Sequence, residues 1–115
     1  MEANELSRLI MDLIADKKGE DIVLMDLQQV SLIADYFVIG NASSERLINA
    51  IADHLREEVE NQSQRAPLHI EGRGDCGWVL MDYGDVLVHL FSPEVRSYYD
   101  LEGLWADAPI LVKMQ

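Results

Sequence analysis

Four short segments of this chain are almost entirely apolar, and they constrain its fold more than any other feature of the sequence. They are residues 22–25, 36–39, 78–81 and 86–91. Each run has the usual length of a strand and is too short to form a helix of its own. Because consecutive residues point to opposite sides of a strand, an uninterrupted apolar run needs cover on both sides. The sequence therefore predicts a sheet with structure packed on it.

Two other segments repeat apolar residues every three or four positions, the period of an amphipathic helix. The first covers about residues 3–17. The second begins at Ser43 or Ser44, because a serine hydroxyl can cap the free N–H groups of a first helical turn. A third, shorter helix is predicted after Ser92 and Pro93, since serine is a favoured cap and proline a favoured first helical residue.

The order of these elements predicts the architecture. With residues 68–70 as a further short strand, the chain reads α-β-β-α-β-β-β-α. This order predicts a single α/β domain, a mixed β-sheet of about five strands with helices packed on it. We place the domain at residues 1–105 and expect the C-terminal tail, residues 106–115, to be loose.

The charge balance limits the class of partner. Asp and Glu total 21 against 9 Lys and Arg, a formal net charge of −12. Direct binding to DNA or to an anionic membrane is not expected, since both are bound through clustered Lys and Arg. A basic protein is the complementary partner. Because Cys76 is the only cysteine and no secretory signal is visible, we expect a cytoplasmic protein.

No motif in the chain brings together the groups that catalysis needs. His89 shares a strand face with apolar residues, which is typical of a satisfied, half-buried histidine. The turn at residues 40–44 joins a strand to a helix but lacks the glycine spacing and the lysine of a phosphate-binding loop. Asp82 and Asp85 are three residues apart across a turn, so they cannot hold metal ions from one strand face. We therefore expect neither enzymatic activity, nor a metal, nor a cofactor.

Trp78 is the residue that stands out on physical grounds. It begins an apolar strand directly after a glycine-rich loop, and the segment from residue 71 to 107 has eight acidic residues against Arg73 and Arg96. A tryptophan in this position either closes the core or anchors an interface, since Trp and Tyr dominate binding hot spots. The pattern alone leaves both interpretations open.

Several ordered motifs, covering nearly the whole chain, resemble the ribosomal silencing factor family, also called Iojap-like. They lie at residues 31–39, 50–53, 71–72, 78–91 and 98–105. The most specific are the run WVLMDYGDVLVHLF at 78–91 and the run YYDLEGLW at 98–105.

The resemblance implies a nucleotidyltransferase-like α/β domain without catalysis. It also implies a translational repressor that binds the large ribosomal subunit at ribosomal protein fourteen and sterically blocks joining of the small subunit. By position, the resemblance assigns partner contacts to Trp78, Leu80, Met81, Asp82, Tyr83, Tyr99, Leu101 and Glu102.

Two alternatives belong to other functional classes. One is a nucleotidyltransferase-like enzyme that uses the turn at residues 40–44. The other is a homodimeric adaptor whose apolar hairpin serves self-association alone. We also expect the silencing factor itself to be a homodimer when it is free, because an exposed apolar patch on a small domain usually has a partner.

Overall fold

The computed structural model describes all residues from 1 to 115. It contains four helices, six strands and one turn of 3₁₀ helix, Gly74–Cys76. In chain order the elements are α1 (Ala3–Asp16), β1 (Glu20–Asp26), β2 (Tyr36–Asn41), α2 (Glu45–Ser63), β3 (His69–Arg73), β4 (Trp78–Asp82), β5 (Val86–Phe91), α3 (Pro93–Tyr99), α4 (Leu101–Leu104) and β6 (Ile110–Met114).

The strands form one mixed sheet in the order β3-β4-β5-β2-β1-β6. Strands β2 and β5 pair in parallel, and every other neighbouring pair is antiparallel. The predicted single α/β domain with helices packed on a mixed sheet is therefore confirmed.

The number of strands needs a correction, because the sheet has six strands and not about five. The additional strand β6 comes from the tail that was expected to be loose, and it pairs antiparallel with β1. Without β6, the strand β1, whose Ile22, Val23 and Leu24 are buried, would form an open edge of the sheet. Val112 of β6 packs against the core, which gives this short strand an apolar contact besides its backbone hydrogen bonds.

The predicted helix start and hairpin turn are both confirmed. Ser44 caps α2, where its Oγ accepts a hydrogen bond from the backbone N–H of Leu47 at 3.1 Å. Gly84 has a φ of 94° in the turn between β4 and β5, a conformation that glycine adopts without strain. The backbone N–H of Gly84 donates to Oδ1 of Asp82 at 2.7 Å, which closes this turn.

The two faces of the sheet are covered unequally. Helices α1 and α2 pack on one side, here called the helical face, over a core cluster of 20 buried residues. The other side, here called the open face, carries Trp78, Leu80, His89 and Phe91 and has a cluster of 10 buried residues. Its cover comes from the short helices α3 and α4 and the segment that follows them, so part of β4 remains accessible.

Candidate functional site

Trp78 lies at the edge of the covered part of the open face. Its indole Nε1–H donates a hydrogen bond to Nδ1 of His89, 3.2 Å away. Its ring packs against Phe91 of β5 and Tyr99 of α3, with centroid separations of 5.0 and 4.7 Å. The residue is only half-buried. Trp78 therefore packs on the core and keeps part of its surface accessible, and its role as an interface anchor stays a prediction.

His89, on the neighbouring strand β5, holds the indole of Trp78 in place through this hydrogen bond. Its ring is 96% buried among aromatic rings, and Phe37 lies edge-on to it at a centroid distance of 4.6 Å. Burial disfavours the charged imidazolium and lowers the pKa of His89 to about 4. The ring is therefore neutral at pH 7, and because Nδ1 accepts from Trp78, the proton resides on Nε2. His89 is more deeply buried than the sequence indicated, and it positions Trp78.

A surface pocket of about 270 Å³ opens beside Trp78 on the open face. Trp78 and Leu80 of β4 line it, Val95 and Tyr99 contribute from α3, and Glu71 brings a carboxylate from β3. The remaining lining residues are Gly72 and Cys76. We call this the Trp78 pocket.

Residue pairing across β3 and β4 explains why these residues meet. Glu71 lies directly opposite Leu80, and Arg73 opposite Trp78, in the antiparallel ladder. Gly72 between them has a φ of 83°, and a Cβ atom at this position would collide with the backbone carbonyl of Trp78. Glycine therefore lets β3 lie close against β4 at the pocket.

Met81, Tyr83 and Leu101, three of the residues assigned to the partner contact, are buried. Met81 and Tyr83 point to the helical face, because they alternate with Trp78, Leu80 and Asp82 along the strand and its turn. Burial raises the pKa of the Tyr83 hydroxyl to about 12. Leu101 packs in the cluster of the open face. This corrects their assignment as contact residues, since side chains buried in the core offer almost no surface to a partner.

The two acidic candidate residues, Asp82 and Glu102, make different contacts. Asp82 lies on the open face and uses one oxygen to cap the turn at Gly84. Glu102 is engaged by Arg96, with 3.0 Å between Nη2 and Oε2. The structure thus brings Trp78, Leu80 and Tyr99 together at one pocket, leaves Asp82 on the same sheet face, and places Glu102 in an ion pair.

Arg96 is a structural residue that the sequence analysis did not identify. From α3 it donates to the backbone carbonyl of Asp21 at 2.5 Å, to Oδ1 of Asn41 at 2.6 Å and to Glu102. One guanidinium therefore joins α3 and α4 to β1 and β2. The sequence indicated this role only by placing Arg96 among acidic residues, where an arginine is expected to form ion pairs.

The groups proposed for the enzymatic alternative have structural partners. Within residues 40–44, Asn41 is buried at the end of β2 and binds Arg96, while Ser44 caps α2. Asp85 pairs with Arg65 at 2.7 Å and does not converge with Asp82. No three His, Cys, Asp or Glu side chains lie close enough together to hold a metal ion. None of the helices is sufficiently long and apolar to cross a membrane.

Four lining residues of the Trp78 pocket were not predicted as site residues, namely Glu71, Gly72, Cys76 and Val95. Pairing residues 69–73 with the strand that begins at Trp78 would have placed Glu71 beside Leu80. Cys76 and Val95 reach the pocket through the 3₁₀ turn and through the packing of α3. No periodic pattern in the sequence indicates that Cys76 or Val95 lies at this pocket.

Comparisons with known proteins agree with this fold. A profile of the family described as "Ribosomal silencing factor during starvation" matches residues 1–115. The chain is 41% identical over 109 residues to the "Ribosomal silencing factor RsfS" of Halalkalibacterium halodurans, covering 95% of this chain and 92% of that protein. It is 42% identical over 95 residues to the protein of that name from Bacillus subtilis, covering 83% and 80%. A crystal structure of a protein from Chromobacterium violaceum superposes with a TM-score of 0.87 at 33% identity, over 92% of this chain and 88% of that chain.

Proposed function

The chain belongs to the ribosomal silencing factor family, and on that premise we propose that it represses translation by binding the large ribosomal subunit at ribosomal protein fourteen. Bound there, it blocks joining of the small subunit by steric overlap. It acts in the cytoplasm, a proposal that its similarity to bacterial ribosomal silencing factors supports.

The observation that carries this proposal is the accessible aromatic surface at the Trp78 pocket. Trp78, Leu80 and Tyr99 expose part of their side chains on one side of the sheet, where the cover by α3 ends. Buried aromatic anchors surrounded by a polar rim are typical of binding hot spots. The rim is polar, with Glu71 and Asp82 on the open face beside His69 and Arg73 of β3, and the net charge of −12 favours a basic protein as partner.

Repression by occlusion needs no chemistry. A standard interface buries roughly 1,600 Å² in total, which a domain of this size can supply. The acidic and histidine side chains described above have capping, pairing or packing roles. These roles support a protein that acts by binding and has no enzymatic activity.

Sedimentation with isolated ribosomal subunits tests the proposal. We expect the protein to pellet with large subunits and to stay in the supernatant with small subunits. In a mixture of both subunits, added protein should lower the amount of joined ribosomes measured by light scattering. Equal binding to both subunits, or binding that leaves subunit joining unchanged, would contradict the proposal.

We also propose that the free protein forms a homodimer through the open face near Trp78. The exposed sides of Trp78, Leu80 and Tyr99 form an apolar surface that favours burial. Self-association and ribosome binding then compete for one surface. Analytical ultracentrifugation should show a dimer that large subunits dissociate. A protein that is monomeric at high micromolar concentration would refute the proposed homodimer.

A further inference from the structure

We propose that the Trp78 pocket accepts one lysine or arginine side chain of the ribosomal partner, an inference that rests on the function proposed above. The aliphatic stem of that side chain lies against Trp78, Leu80 and Tyr99. Its cationic head reaches the carboxylate of Glu71 at the rim.

The lining of the pocket favours a long basic side chain over a phosphate-bearing metabolite. Its volume is about 270 Å³. No cluster of basic residues lines it, so a phosphate-bearing ligand would have no cation to pair with. Long basic side chains bury an apolar stem and keep a charged head at the surface, which matches a pocket with apolar walls and an acidic rim.

Glu71 has the freedom to act as the acceptor. One of its oxygens, Oε1, lies 2.7 Å from Nε2 of His69, and the other oxygen has no hydrogen-bond partner within the chain. The Glu71 side chain is 62% exposed, so a partner can approach it. Arg73, which lies opposite Trp78 two residues farther along β3, does not line the pocket and forms no ion pair with Glu71.

The aromatic walls add attraction for a cation. Trp78 and Tyr99 pack against each other at a centroid distance of 4.7 Å with their planes inclined by 46°, and both line the pocket. A cation over the face of Trp or Tyr is attracted by the ring quadrupole.

Charge substitution at Glu71 tests the chemistry of the occupant. We expect Glu71→Gln to weaken large-subunit binding about three- to tenfold, and Glu71→Lys to weaken it on the order of 30-fold or more, because a like charge then faces the incoming cation. The matched controls are Glu57→Gln and Glu57→Lys, since Glu57 is exposed on α2 at the other side of the sheet. Melting curves of all four variants establish that they are folded. A Glu71→Lys protein that binds as well as Glu57→Lys overturns the proposal.

The single cysteine reports independently on occupancy of the pocket. Cys76 lines the pocket and is exposed in the single chain, so iodoacetamide should alkylate it readily at concentrations where the protein is monomeric. We expect bound large subunits to slow this alkylation at least about tenfold. If protein that has pelleted with large subunits is alkylated at the free rate, the pocket is empty in the complex and the proposal is wrong.

The two experiments separate the possible failures. Protection of Cys76 together with no effect of charge at Glu71 would mean that an apolar side chain fills the pocket, which overturns the basic occupant. Wild-type protein that stays in the supernatant with large subunits overturns the proposed function and this inference together. Protection of Cys76 with the graded loss at Glu71 supports both.

Discussion

At the scale of single residues, Trp78 combines a structural and a binding role in one ring. The side that packs on Phe91 and bonds to His89 stabilises the fold. The side that lines the pocket is available to a partner. Substitutions that separate these two roles are therefore the most informative ones in this chain.

Replacing Trp78 by alanine should lower both stability and binding. We expect a loss of about 2 kcal/mol in the free energy of unfolding, below the 3–5 kcal/mol of a fully buried aromatic residue. This lowers Tm by roughly 8–12 °C for a domain of this size. Large-subunit affinity should fall by about 30- to 1,000-fold, the range of a hot spot. Thermal melting and subunit sedimentation on the same sample give the two effects.

The control is Trp78→Phe, which keeps an aromatic ring but is smaller and lacks the N–H that bonds to His89. It should cost about 1 kcal/mol of stability and retain most of the affinity. If Trp78→Ala is well folded and binds normally, Trp78 is no anchor.

His89 makes stability depend on pH. Its pKa is lowered from 6.5 to about 4 in the folded protein, so the unfolded chain binds a proton more readily. The neutral ring's contribution to the free energy of unfolding is fully present above pH 6.5. It is lost as the pH falls from 6.5 to about 4. The loss from this residue is about 3 kcal/mol at most.

Urea unfolding at several values between about pH 7.5 and pH 4 measures this slope. His89→Leu serves as the reference because it removes the titrating ring and keeps an apolar side chain. The wild type should lose more stability than His89→Leu between pH 6.5 and pH 4. Parallel curves for the two proteins would show that His89 is solvated and not buried.

At the scale of secondary-structure elements, Arg96 determines how the short helices lie on the sheet. Helices of seven and four residues have little stability of their own. Arg96 and the contacts of Trp78 with Tyr99 hold them over the open face. The wall of the Trp78 pocket formed by Val95 and Tyr99 therefore depends on a residue that lies outside the pocket.

Replacing Arg96 by methionine should loosen α3 and α4. Methionine keeps a long apolar stem but leaves Asn41 and Glu102 without their hydrogen-bond donor, at a cost of about 2 kcal/mol. Hydrogen exchange should speed up in residues 93–104 and stay unchanged in α2. Large-subunit affinity should fall although Arg96 contacts no partner in our proposal. Unchanged exchange in residues 93–104 would show that packing alone holds these helices.

Most elements could be predicted from the sequence, because apolar runs and helical periods set them locally. The N-cap at Ser44 and the turn at Gly84 follow from residues adjacent in sequence, whereas the burial of Trp78 depends on Phe91 and Tyr99 and could not be predicted. Strand β6 could not be predicted, since its pairing with β1 joins residues about 90 positions apart. The contact residues Met81 and Tyr83 were assigned from motif position, and their burial follows from strand alternation relative to Trp78.

At the scale of the whole molecule, charge sets the conditions under which a partner is found. A net charge of −12 on 115 residues produces a field that attracts basic surfaces over a distance set by the salt concentration. The screening length is about 8 Å at physiological ionic strength. The association rate should therefore depend on salt more strongly than the dissociation rate.

Raising the salt concentration from about 0.05 M to about 0.3 M should weaken large-subunit binding mainly by lowering the association rate. Asp82→Lys should lower the association rate in the same way at low salt, because Asp82 lies on the open face and keeps one oxygen outside the turn. Stopped-flow measurements on wild type and Asp82→Lys separate the association rate from the dissociation rate. An association rate independent of salt would exclude electrostatic steering.

The pairing of β6 with β1 also has a consequence for how the chain folds during its own synthesis. Strand β1 leaves the ribosome about 90 residues before β6 does, and the parallel partner of β2 is also made later. At synthesis rates of about 5–20 residues per second, the apolar edge of β1 stays without its partner strand for roughly 5–18 s. During that interval the nascent chain exposes a strand edge that can pair with other chains, so early segments of this protein depend on chaperones until residues 110–114 arrive.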